Sequence, residues 1–155
     1  EKKIAVIGLG YVGLPLAVEF AKQYPTVGFD INGPRVDELM NGHDRTLEVE
    51  DEDLKQVISS DLISTEKNGK GLYCTTAVGD IESSNFYVVT VPTPTDKNKR
   101  PVLTPLIKAS ERVGLERLNP SMSFPPLLIL ITSSKNVTTL SIPYPLQDCS
   151  PKSFV

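Results

Sequence analysis

The chain is poor in the residues that carry most metal and thiol chemistry. Its 155 residues include no tryptophan, one histidine and two cysteines. Cys74 and Cys149 are too few for a disulfide framework and lack the spacing of zinc ligands. No apolar run reaches the roughly 18–20 residues of a membrane-spanning helix. Charge of one sign is also missing, since 16 basic residues face 19 acidic ones for a net charge of −3. That balance argues against a nucleic-acid binder relying on bulk positive charge. The start, Glu1-Lys2-Lys3, leads straight into a short apolar strand without the apolar stretch and cleavage site of a signal peptide. Glycine is absent after Gly114, and residues 115–155 hold six of the 13 prolines but only five charged residues. The expectation is a cytoplasmic α/β protein with a single domain of ordinary size, followed by a tail of different character.

What is present alternates between strand and helix signals. Ile4 to Ile7 is a short apolar run suited to a buried parallel strand. Tyr11 to Gln23 reads as a helix, apolar nearly all round and therefore well buried. Thr26 to Phe29 reads as a second strand ending at Asp30, and Pro34 suits the first turn of a helix stopped by Gly42. Glu48 to Asp53 is an acidic run. Carboxylates attract hard cations, but acids also favour a helix N-terminus, and the second reading is preferred. Lys67 to Lys70 reads as a turn, Leu72 to Thr75 as a short strand, Val78 to Glu82 as a short helix and Phe86 to Val91 as the next strand. Thr104 can cap a helix that begins at Pro105 and runs to about Leu118. This alternation predicts a Rossmann-like, doubly wound parallel sheet over residues 1–120, incomplete, with an atypical Pro/Ser-rich tail over 121–155.

Gly8-Leu9-Gly10-Tyr11-Val12-Gly13 is a G-x-G-x-x-G that directly follows a strand and opens an apolar helix. That context turns a weak pattern into a dinucleotide-binding signal. Gly8 would permit the tight turn, Gly10 the approach of a pyrophosphate and Gly13 close packing of the helix on the sheet. Asp30 stands 22 positions after Gly8, where a carboxylate can accept both adenosine ribose hydroxyls and repel a 2′-phosphate. NAD is therefore expected over NADP. Arg35 could reach the adenosine end or simply be solvated at a helix start. Thr93 follows a strand at the ligand-binding edge of such a sheet, or else caps a Pro-rich turn.

Ile4 to Ala17 resembles the opening of the UDP-glucose/GDP-mannose dehydrogenase family, and Val91-Pro92-Thr93-Pro94 resembles that family's second marker. Asp44 to Asp51 and Asp96 to Pro101 are similar to the branch that oxidises UDP-N-acetylhexosamines, the UDP-N-acetylglucosamine 6-dehydrogenases among them. The resemblance runs over about residues 3 to 120. It implies oxidation of the C6 alcohol of a nucleotide sugar to a carboxylate by two NAD⁺ in succession, through a cysteine-bound intermediate. It implies contacts of Tyr11, Val12, Asp30 and Arg35 with the adenosine half of NAD, with Thr93 beside the cofactor. It also implies a UDP-sugar substrate, a homo-oligomeric full-length enzyme and a place in polysaccharide synthesis.

Beyond about residue 120 the pattern departs. The Glu-Ser-Thr strand end and Tyr-Pro-Gly loop of the family are absent from Ser121 to Thr132, although Leu127 to Ile131 keeps the hydrophobicity of a strand. The nucleophilic cysteine of the family belongs to a downstream domain. Cys74 reads as a core thiol, Cys149 has no neighbouring base, and His43 reads as a loop residue, so no catalytic or metal-ligating residue is assigned. The tail fits a frame-shifted or divergent segment. The leading expectation is the NAD-binding part of a UDP-N-acetylhexosamine 6-dehydrogenase, inactive on its own. The alternatives are a non-catalytic nucleotide-binding module, a UDP-glucose or UDP-N-acetylmannosamine dehydrogenase, and a hydroxyacid dehydrogenase that the Val-Pro-Thr-Pro marker disfavours. The Lys97-Asn98-Lys99-Arg100 loop reads as solvated rather than as a diphosphate site.

Overall fold

The computed structural model describes residues 2–91, 97, 104, 107–109, 127–131 and 137–141, the last two stretches as backbone. Among the described residues there are six strands: β1 (Ile4–Ile7), β2 (Pro25–Phe29), β3 (Gly71–Thr75), β4 (Phe86–Val89), β5 (Leu127–Ile131) and β6 (Val137–Ser141). They form a single sheet in the order β3-β2-β1-β4-β5-β6. All neighbours are parallel except β6, which runs antiparallel to β5. The order reverses between β1 and β4, the switch point at which a doubly wound sheet opens a crevice.

The helices that lie wholly within the described residues are α1 (Gly13–Ala21), α2 (Gly33–Met40), α3 (Asp51–Val57) and α4 (Leu62–Asn68), with a 3₁₀ turn at Val78–Ile81. Successive residues of a strand point to opposite faces, so one short strand feeds two cores. Ile4 and Val6 join Leu14, Ala17, Val18, Val36, Leu39 and Leu54 on the face covered by α1, α2 and α3. Ala5 and Ile7 join Val27, Phe29, Ile81, Tyr87 and Ala109 on the other. This two-sided burial explains why β1 and β4 read as unbroken apolar runs.

Several boundaries differ from the sequence reading. The first helix begins at Gly13 rather than Tyr11, which leaves Tyr11 and Val12 exposed before it, and Leu16 and Phe20 are only partly buried. The fourth strand ends at Val89 rather than Val91, although the Thr90 amide still donates to the Ile7 carbonyl at 2.8 Å. Helix α4 was missed, and the turn read at Lys67 to Lys70 is its last residues plus Gly69 in the left-handed conformation (φ 69°). Its signals were present: Asp61 caps it by accepting the Ser64 amide, and Gly69 ends it. Strand β5 follows its apolar run. It and β6 extend the sheet into the segment set apart by composition, where prolines and the lack of glycine had masked the α/β character. Among the described residues no helix is long and apolar enough to cross a membrane.

Candidate dinucleotide-binding site

The turn after β1 is built by main-chain bonds on one side and left open on the other. The Gly8 amide donates to the Phe29 carbonyl at 2.8 Å, and its φ of 95° suits a residue without Cβ. A Cβ there would also meet the Thr90 carbonyl at 3.2 Å. The Thr90 hydroxyl lies 2.7 Å from the Gly8 carbonyl oxygen and 3.1 Å from that of Ile7. The expected roles of the other two glycines separate cleanly. A Cβ on Gly13 would fall 1.8 Å from the Gly8 carbonyl oxygen, whereas one on Gly10 would stand in open space. Gly13 is required by packing within the protein, and Gly10 keeps a cleared approach.

Leu9, an unspecified position of the motif, is the anchor. Its side chain is fully buried, and its Cδ atoms lie 3.0 Å from where a Cβ on Gly28 would be. Its amide donates to Asp30 Oδ2 at 2.8 Å, while the Asn32 amide donates to Asp30 Oδ1 at 2.9 Å. Each carboxylate oxygen keeps a further acceptor site, enough for two ribose hydroxyls. The Leu9 carbonyl accepts from Arg35 Nε at 3.1 Å.

Arg35 is 4% exposed, which removes the solvated alternative that stood beside contact with the adenosine end. Its Nη1 donates to Glu38 at 2.7 Å and its Nη2 to Asp44 Oδ1 at 2.7 Å and Thr46 Oγ1 at 3.3 Å. Asp44 is fully buried. Burial pushes its carboxyl up, but hydrogen bonds from Thr46, Arg35 and Val49 outweigh this and bring it down to about 2. Sequence reasoning missed Asp44, Thr90 and Gly28 as parts of this site. The one usable signal was an opposite charge close in sequence, Asp44 nine positions after Arg35.

The amides of Gly10, Tyr11 and Val12 have no acceptor among the described residues, and they precede α1, whose amide of Leu14 already bonds the Gly10 carbonyl. Free amides at a helix start form an anion site. Tyr11 (68% exposed) and Val12 (44%) stand at the surface beside it. These features fit the pyrophosphate and ribose of an adenine dinucleotide. Thr93 lies outside the described residues, as does Cys149. Cys74 is a core thiol, 2% exposed, with burial pushing it up to about 12. A separate open cleft of about 550 Å³, lined by Ala21, Gln56, Ser59 and Gly71, sits at the opposite sheet edge. It is away from this turn, because Gly71 opens β3 and Ala21 closes α1.

Residues 2–135 match the family model described as the UDP-glucose/GDP-mannose dehydrogenase family, NAD binding domain. The chain belongs to the UDP-glucose/GDP-mannose dehydrogenase family. It is 51% identical over 114 residues to a UDP-N-acetyl-D-glucosamine 6-dehydrogenase of Salmonella typhi, and 50% identical over 114 residues to one of Pseudomonas aeruginosa. Each match covers 74% of this chain and 24% of the relative, so the chain spans about a quarter of the length of the curated relatives it matches. The structure is similar to a UDP-D-ManNAc dehydrogenase from Pyrococcus horikoshii at a TM-score of 0.68 and 32% identity, covering 84% of this chain and 28% of that one. Within the UDP-glucose/GDP-mannose dehydrogenase family, the matched region is the NAD-binding domain, and it includes β5.

Proposed function

We propose that this chain binds NAD at the β1–α1 turn as the coenzyme half of a UDP-N-acetylglucosamine 6-dehydrogenase acting in the cytoplasm. The observation that carries the reading is the meeting of Asp30 with Leu9. The 2.8 Å bond holds a carboxylate on the turn whose Gly10, Tyr11 and Val12 amides have no acceptor among the described residues, so one ligand can place its pyrophosphate on the amides and its ribose on the acid. Gly10 leaves room for close approach of the phosphates. A 2′-phosphate would meet the Asp30 carboxylate, which supports NAD over NADP.

NAD supplies hydride acceptance, and this chain's residues bind and orient it. Gly8, Gly10 and Gly13 shape the turn, Tyr11 and Val12 present amides, and Asp30 selects the ribose. Arg35 acts from behind the turn, and Thr93 is proposed beside the coenzyme on its expected loop. Cys74 is no candidate for holding the sugar intermediate, because its thiol is buried and held protonated. The reaction proposed for the full-length protein is the one the family resemblance implies, oxidation of the C6 alcohol of a UDP-N-acetylhexosamine with two NAD⁺, and its active form is proposed to be a homo-oligomer. Calorimetric titration tests the coenzyme assignment. Saturable binding of NAD⁺, with NADP⁺ at least about tenfold weaker, is expected. Equal binding of both, or of neither, would overturn it.

A further inference from the structure

The Leu9–Gly10 peptide is one plane, with the Leu9 carbonyl and the Gly10 amide pointing in opposite directions. Arg35 Nε holds the carbonyl at 3.1 Å, so the Gly10 amide faces the other way. Glycine on one side of a peptide lowers the cost of rotating it, so the plane needs an external hold. Arg35 in turn is held by Asp44. The Asp44 carboxylate is fully buried and takes Arg35 Nη2 at 2.7 Å, the Thr46 amide at 3.0 Å and the Thr46 hydroxyl at 2.6 Å. It also takes the amides of Glu48 at 3.0 Å and Val49 at 3.1 Å. The Asp44 amide donates to Asp51 at the start of α3, so the loop cannot drift. A buried ion pair with this many bonds is a rigid hold: without Arg35 the buried Asp44 carboxylate loses its cation, and without Asp44 the guanidinium keeps only Glu38, at 2.7 Å, as an anionic partner.

We propose that Asp44 is a positioning residue of the dinucleotide turn, setting the Leu9–Gly10 peptide plane through the Arg35 guanidinium and thereby aiming the Gly10 amide at the pyrophosphate. The ligand part of this inference rests on the NAD reading above. The conformational part does not. Loop 44–49 is remote in sequence from the glycine turn, and among the described residues Arg35 is the side chain that bonds both.

The test uses the full chain with Asp44→Asn and, should that variant fold poorly, Arg35→Lys, which keeps a charge beside Asp44 but cannot reach both partners with a fork. The first readout is the ligand-free backbone amide spectrum. The Gly10 resonance is expected to shift and broaden in both variants while that of Val6 in β1 stays in place. A Gly10 amide that does not move, in a variant that has lost the Arg35–Asp44 contact, overturns the proposal. The second readout is titration with NAD⁺, ADP-ribose and adenosine. NAD⁺ and ADP-ribose are expected to weaken by about tenfold, the worth of one charge-assisted hydrogen bond, with adenosine unchanged. An equal loss for adenosine would mean that Arg35 touches the nucleoside directly, and would also overturn it. If the unaltered chain does not bind NAD⁺, the coenzyme reading falls and the Gly10 resonance alone decides this inference.

Discussion

The Thr90 hydroxyl lies 2.7 Å from the Gly8 carbonyl oxygen, joining the residue that follows β4 to the first glycine of the turn across 82 positions. Thr90→Val keeps the shape and removes the donor. It is expected to lower stability by about 1 kcal/mol, the typical net worth of one such bond, while Thr90→Ser stays close to the original. Urea unfolding of the three proteins checks it, and an unchanged midpoint for the valine variant would count against the bond.

Gly10 and Gly13 should fail in opposite ways. Gly13→Ala puts a methyl 1.8 Å from a backbone oxygen and 2.4 Å from Thr90 Oγ1, so it should destabilise by roughly 1–3 kcal/mol or more. Gly10→Ala adds a methyl in open space and should leave the melting temperature nearly unchanged while weakening NAD⁺ binding. Paired thermal melts and titrations separate the two effects. A Gly10 variant that binds as well as the original would show that no phosphate comes close there.

Asp44 should govern stability in acid. Its folded pKa of about 2 lies below the ordinary 3.8, so its contribution is present above pH 4 and is lost as pH falls through 2. The difference corresponds to about 2 kcal/mol at neutral pH. Asp44→Asn should therefore be less stable at pH 7 and should flatten the stability profile between pH 4 and 2. Denaturant titrations at stepped pH measure this.

Leu47 has a φ of 56°, and its side chain is 85% exposed. A left-handed leucine costs about 1 kcal/mol relative to glycine and here buries little in return. Leu47→Gly is expected to raise stability by about 0.5–1 kcal/mol. A fall on chemical denaturation would reveal a packing role for Leu47.

His43 and Asp51 form an exposed pair at 3.0 Å. The hydrogen bond and charge of Asp51 raise the histidine pKa above its usual 6.5, with Glu38 and Asp44 adding to the effect. Its contribution is therefore full below pH 6.5 and fades as pH rises through the raised value. His43→Gln should remove that part of the pH dependence, and the difference between the two profiles tests it.

The sequence by itself determined the βαβ opening, the glycine turn and the acid at the end of β2. Those features follow from local rules: apolar runs for strands buried on both faces, glycines where a Cβ cannot fit, a carboxylate at a fixed distance along the chain. It also marked Leu127–Ile131 as a strand, but its register against β4 is a long-range fact. Only the tertiary structure decided that Leu9 is an anchor over Gly28, that Thr90 holds Gly8, and that Arg35 faces inward to Leu9 and Asp44. The physical reason is that a hydrogen-bonding partner is chosen by what the folded sheet brings within 3 Å. An arginine five positions after Asp30 has the same sequence signature whether it points to solvent or behind the turn.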